Sequence, residues 1–224
     1  MTLEDYKNRF GEDDAPGWDA IDGKLAEIYP GREPDFHFGT LIKYRLGGPD
    51  PIDGAGIYKR TDPTPHLHFV SYGMSELYYN EEAAGNEFSK WGFEFTFRLA
   101  VHPDRMPASD GEAPVWPINL MQNLARYVFE SEKWFEHGHY LNANGPIMAD
   151  AETDIVAILF SRDPELGTIA TPHGALDFLQ IVGITLGEVE SLFGKQQSTA
   201  ELLEKLSADN PLLITDLARR ANDI

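Results

Sequence analysis

The chain has 224 residues and no cysteine, which excludes disulfides, cysteine-ligated metals and thiol nucleophiles and suits a reducing compartment. Its 18 basic residues stand against 37 acidic ones, a formal charge of −19 that repels phosphate backbones and so excludes nucleic acid as an expected partner. At 42% hydrophobic and 12% aromatic residues the chain is too apolar to be disordered and long enough to bury a core.

Residues 1–15 read as a polar leader, and residues 16–224 as one compact domain. No basic stretch followed by an apolar run opens the chain. The longest purely apolar stretch, Ile155 to Phe160, is far short of the roughly 20 residues of a membrane helix. A soluble, cytoplasmic protein without membrane contact is therefore expected. From Gly17 to Tyr29 the spacing of Trp18, Ile21, Leu25 and Ile28 predicts a helix, ended by Pro30-Gly31. Phe38, Thr40, Ile42, Tyr44 and Leu46 alternate as one face of a strand, and Gly47-Gly48-Pro49-Asp50-Pro51 reads as a rigid loop.

His66 to Tyr72 predicts a second strand. The clearest strand is Trp91 to Val101, where Trp91, Phe93, Phe95, Phe97 and Leu99 alternate with Gly92, Glu94, Thr96, Arg98 and Ala100. A loop containing Pro and Asp follows. A long helix is predicted from about Pro117 to Phe135, with Ile118, Met121, Leu124, Ala125, Val128 and Phe129 as its apolar stripe. Ile155 to Phe160 and Phe178 to Ile184 read as buried strands around a turn at Thr171-Pro172-His173-Gly174. Thr185 with Glu188, and Ser198 with Glu201, have capping-box spacing; Leu192/Phe193 and Leu202/Leu203 supply inward faces of the helices they start. Pro211 to Thr215 reads as a last short strand. The order lacks a regular βαβ rhythm, which predicts an α+β domain: one mixed, largely antiparallel sheet packed against helices.

Candidate chemistry is sparse. His66-x-His68 on a strand places both imidazoles on one face, where they either meet a metal or pack and hydrogen-bond inside the sheet; no third ligand is evident. His137-x-His139 just past the long helix offers the same choice. A nucleophile elbow, a zinc-protease helix motif and a phosphate loop are all absent from the sequence. No cofactor, metal site or catalytic residue is therefore assigned. Trp134, Phe135 and Tyr140 cluster near His137 and His139, either as an interface anchor or as a plug at the helix end. The charge either keeps the chain soluble or draws a basic partner.

Seven blocks, in order, carry a resemblance. They are Lys43 to Pro51, His68 to Tyr78, Gly92 to Leu99, Trp116 to Phe129, Thr171 to Gly174, Phe178 to Gly183 and Leu213 to Asp216. In sequence the chain resembles the Suppressor of fused domain family over about Gly17 to Arg220. That resemblance implies a mixed α/β domain without enzymatic activity. In animals the family member represses Hedgehog signalling by sequestering Gli-type transcription factors, clasping a peptide strand between two domains; the resemblance reaches only one of them, so the Gli role is not implied. Bacterial single-domain relatives include immunity proteins, which implies a protein-binding role in neutralising a basic, toxin-like partner. The alternatives are a small metal- or carboxylate-dependent hydrolase and a scaffold without a toxin partner. The resemblance places a peptide site around Tyr127, the loop after Phe135 and the strand end before Asp163-Pro164. Where the animal proteins are acidic there, this chain has His139 and Arg162. The partner-binding residues implied are Tyr127, Trp134, Phe135, His139, Tyr140 and Arg162.

Overall fold

The computed structural model describes residues 1–102, 106–107 and 111–220. Among the described residues, five α-helices and eight strands follow one another as α1 (Leu3–Arg9), α2 (Pro16–Ile28), β1 (Phe36–Gly39), β2 (Gly54–Arg60), β3 (His66–Tyr72), β4 (Phe88–Ala100), α3 (Trp116–Ser131), β5 (Tyr140–Asn142), β6 (Ile155–Arg162), β7 (Thr168–Thr171), β8 (Gly174–Thr185), α4 (Leu186–Phe193) and α5 (Thr199–Asp209). The strands form one sheet in the order β1-β2-β3-β4-β8-β6-β5, with β7 added to the start of β8. Every pairing is antiparallel except β4 with β8. This is the mixed, largely antiparallel α+β domain that the order of elements predicts.

Strand alternation sorts the core onto the two faces of the sheet. Phe93, Phe95, Phe97 and Leu99 of β4 and Leu179 and Ile181 of β8 meet the stripe Ile118, Met121, Ala125 and Val128 of α3. On the opposite face there are two apolar clusters. Ile21 and Leu25 of α2 cover Val70, Tyr72 and Phe178, while Val189, Leu192, Leu202 and Leu203 of α4 and α5 cover Ala157, Leu159, Val182 and Ile184. Both predicted capping boxes form, at Thr185/Glu188 and Ser198/Glu201.

Several boundaries differ from expectation. The strand expected through Leu46 stops at Gly39, and Leu41, Ile42 and Leu46 lie exposed. The chain instead curls around Asp53, whose backbone oxygen accepts from Thr40 N and Lys43 Nζ and whose Oδ1 accepts from Tyr44 N. With those groups engaged, no ladder can continue. Helix α3 ends at Ser131, four residues early, because Glu132 adopts a left-handed conformation at φ 57°. Phe193 is not an inward residue: it is 59% exposed, with Tyr140 edge-on to its ring at 5.3 Å. The last expected strand reduces to one bridge, Thr215 to Leu99. Within the leader, Leu3–Arg9 forms a helix whose Tyr6 is fully buried, its hydroxyl accepting from Asn80 N and sharing a 2.8 Å bond with His173 Nε2. Part of the loop expected between β4 and α3 lies outside the described residues.

Candidate functional site: a groove at the parallel seam

The parallel ladder of β4 and β8 is interrupted. Phe88 pairs with Ala175 and Phe93 with Asp177, so the β4 side advances five residues while the β8 side advances two. The surplus is accommodated by left-handed conformations at Lys90 (φ 54°) and Gly92 (φ 79°), which throw the strand outward as a bulge. That bulge is tied to the turn after β3: Trp91 N donates to Met74 O, Glu76 N donates to Ser89 Oγ, and Lys90 Nζ donates to Gly73 O at 3.0 Å. The turn is fixed in its own right by Glu94. Its buried carboxylate accepts from Ser71 Oγ (2.5 Å), Gly73 N (2.9 Å), Ser75 N (2.9 Å) and Ser75 Oγ (2.6 Å). Burial raises the Glu94 pKa, and those donors work against the rise. Gly73 permits the turn, since a Cβ there would lie 2.4 Å from Pro51 O.

Between the bulge and the segment after α3 lies a groove of about 570 Å³, with Phe93 and Leu179 in its lining and Trp91, Trp134 and Phe135 along its sides. Trp134 is 54% exposed and donates its indole N–H to Glu136 at 2.9 Å. Phe135 is held between Phe160 (4.4 Å, 22°) and Tyr127 (5.6 Å, 27°), which makes it both wall and core. Arg162 reaches Asp177 at 3.2 Å along one edge, and its backbone N–H donates to His137 Nδ1 at 3.1 Å. The groove thus offers aromatic surface beside two cations, Lys90 and Arg162, and two carboxylates, Glu136 and Asp177.

The six residues implied by the resemblance do not form one cluster. Trp134, Phe135 and Arg162 line the groove, and half-exposed Tyr127 stacks behind Phe135. His139 faces outward beside Glu136, 3.9 Å away. Tyr140 turns to the other face of the sheet, against Phe193. Phe88, Lys90, Trp91 and Asp177 also line the groove and were not read as site residues; the isolated Gly92 inside a strand was the available sign of a bulge.

The histidine pair of β3 is sealed inside the sheet. His66 and His68 are fully buried; His66 Nδ1 lies 2.6 Å from Thr64 O, and His68 Nδ1 lies 2.7 Å from the Tyr29 hydroxyl. Burial pushes both imidazoles down to about 4, so they are neutral at pH 7. His68 Nε2 lies 3.4 Å from Asp163 Oδ2, and Arg98 Nη2 donates to Asp163 at 3.0 Å. Burial alone would raise the Asp163 pKa, but His68 and Arg98 outweigh it and hold the carboxyl below its usual range. Among the described residues no group of three or more histidines and carboxylates is arranged to hold a metal.

Comparison with known proteins places this fold. The model of the Suppressor of fused protein (SUFU) family matches residues 48–220. The chain belongs to the Suppressor of fused family. Suppressor of fused homologs of human and mouse are each 36% identical to it over 216 residues, covering 91% of this chain but 43% of those proteins. The chain therefore spans less than half the length of these curated relatives. Among solved structures, the Sufu-Fu complex superposes with a TM-score of 0.84 at 31% identity, over 92% of both chains. Drosophila Suppressor of Fused gives 0.82 at 31% identity, over 94% of this chain and 52% of that one. A Suppressor of fused homolog from Neisseria gonorrhoeae shares the fold, with a TM-score of 0.60 at 16% identity over 91% of this chain and 95% of that one. The family model spans the Glu94-pinned turn, the bulge and both sides of the groove.

Proposed function

We propose that this Suppressor of fused domain is a non-catalytic, cytoplasmic binding module that holds another protein in the groove at the parallel seam. The observation that carries the reading is the groove itself: aromatic surface left open at a break in the sheet, with Trp134 more than half exposed on its rim. Large aromatic side chains at the edge of a preformed cleft are the residues that most often anchor a protein interface. A solved relative is described as the Sufu-Fu complex, which supports a protein as ligand here. The charge of −19 favours a basic partner, and neutralising a toxin by direct binding is the role we infer for such a pair.

The test separates steering from anchoring. Raising salt from low to physiological ionic strength should slow association with a basic partner severalfold and leave dissociation nearly unchanged. Trp134→Ala should do the reverse, speeding dissociation by about 30- to 1,000-fold, the equivalent of about 2–4 kcal/mol for a desolvated anchor. Trp134 is largely exposed and hydrogen-bonded only to Glu136 among the described residues, so this variant should fold. Stopped-flow association and surface dissociation measurements decide the matter; parental dissociation by folded Trp134→Ala would move the interface off the groove.

A further inference from the structure

A second cavity, of about 400 Å³, lies on the α2 side of the sheet and shares no lining residue with the groove. Its walls include Trp18 and Asp22 of α2, Glu33, Tyr58 of β2 and Tyr72 of β3. The aromatic walls are locked in place. Trp18 stacks on Tyr72 (4.2 Å, 15°), and Tyr58 stacks on Tyr29 (4.0 Å, 3°). The Tyr72 hydroxyl donates to Asp22 Oδ1 at 2.7 Å, which fixes that carboxylate at the cavity.

Two features are left uncompensated. Tyr58 is only 4% exposed, yet its hydroxyl makes no hydrogen bond among the described residues. The hydroxyl is reached by solvent through the cavity, so it opens onto that space and is free to accept a hydrogen bond. Burial, and then the Asp22 charge, push its pKa up to about 12, so it stays neutral. Neither Asp22 nor Glu33 has an ion pair among the described residues, and burial together with repulsion from Asp19 and Glu33 raises the Asp22 pKa. Arg32 also lines the cavity, with its guanidinium paired to Asp35 at 2.9 Å.

We propose that this cavity is a binding site for an organic cation bearing N–H donors, the ammonium of a lysine or the guanidinium of an arginine. Such a group would donate to Tyr58 Oη and to the carboxylates of Asp22 and Glu33 while its stem lies along the rings of Trp18 and Tyr72. A quaternary ammonium has no donor and would leave Tyr58 unsatisfied. Among the described residues no group of three or more histidines and carboxylates is placed to hold a metal ion, here or elsewhere. The site is independent of the groove and stands or falls without it.

The test is a titration of ¹⁵N-labelled protein, reading the indole N–H of Trp18. The probes are N-acetyl-arginine amide, N-acetyl-lysine amide and spermidine, with tetramethylammonium and N-acetyl-glutamine amide as controls. Saturable shifts at Trp18 are expected for the N–H cations, with tetramethylammonium at least about tenfold weaker. A capped amino acid binding more tightly than spermidine points to a protein side chain as the source; the opposite order points to free polyamines. Asp22→Asn keeps the acceptor for Tyr72 and should weaken binding about tenfold, and Tyr58→Phe keeps the stack on Tyr29 and should weaken it severalfold. Three results would overturn the proposal: no saturable shift, equal response to tetramethylammonium, or parental affinity in both folded variants.

Discussion

Lowering the pH should destabilise this domain well before its surface carboxylates titrate, and the buried histidines of β3 set the size of the effect. His66 and His68 have folded pKa values of about 4, against 6.5 for an exposed imidazole, because both are buried. A base whose pKa is depressed by folding is neutral in the folded chain while the unfolded chain takes up the proton. Stability is therefore intact above about pH 6.5 and declines as pH falls toward 4. Near pH 5 the unfolded state holds nearly two more protons than the folded state, a slope of about 2–3 kcal/mol per pH unit. Integrated from pH 7 to 4.5, each histidine removes about 2 kcal/mol, and the pair removes about 4–5 kcal/mol of a typical total of roughly 5–15. His173, also depressed by burial, acts in the same direction. Relief of self-repulsion from the net charge acts the other way, and about 0.15 M salt keeps that contribution small. Urea melts from pH 7.5 to 4.5 measure the slope. A value under about 0.5 kcal/mol per unit between pH 6 and 5, or an unchanged slope in a folded His66→Gln/His68→Gln variant, would refute the reasoning.

Two further perturbations test the packing. Phe95 is fully buried, with Phe93 at 5.0 Å and Phe160 at 6.2 Å, so Phe95→Ala should cost about 3–5 kcal/mol in urea melts; a loss under about 1 kcal/mol would mean that the strand is not packed this way. Tyr6→Phe removes the hydroxyl that joins Asn80 N to His173 Nε2, leaving both unsatisfied, and should cost about 1–3 kcal/mol; an unchanged melt would show that these two hydrogen bonds add nothing to the domain.

Periodicity made much of this fold legible. The β4 alternation, the α3 stripe and the two capping boxes are local patterns, and each appears where its spacing places it. The failures have physical causes. Strand β2 begins Gly-Ala-Gly, and no alternation survives that composition, yet it is buried on both sides by β1 and β3. The apparent strand through Leu46 has the right alternation but no neighbouring edge to pair with, because Asp53 takes its backbone donors. Burial was harder to read than position: Glu94, Thr96 and Arg98 look like a solvated face, yet all three are fully buried and hydrogen-bonded. At the site, Trp134, Phe135 and Arg162 were within reach of sequence. Trp91 and Asp177 come together only through a long-range parallel pairing, which no local pattern encodes.

The parallel pairing of β4 with β8 also has a consequence for how the molecule assembles. Strands β1 to β4 form a meander of short-range antiparallel hairpins, and β6 to β8 form a second antiparallel group. Joining the two requires β4 to find β8 across a separation of about 85 residues, a closure whose entropy must be met before the contacts return anything. The halves should therefore order first and the seam last, with the interrupted stretch between Phe88 and Phe93 the final part to close. A ligand lying in the groove touches both halves at once and acts as a clasp on that seam. Its imprint should fall more heavily on the rate at which the two halves part than on the rate at which either half forms.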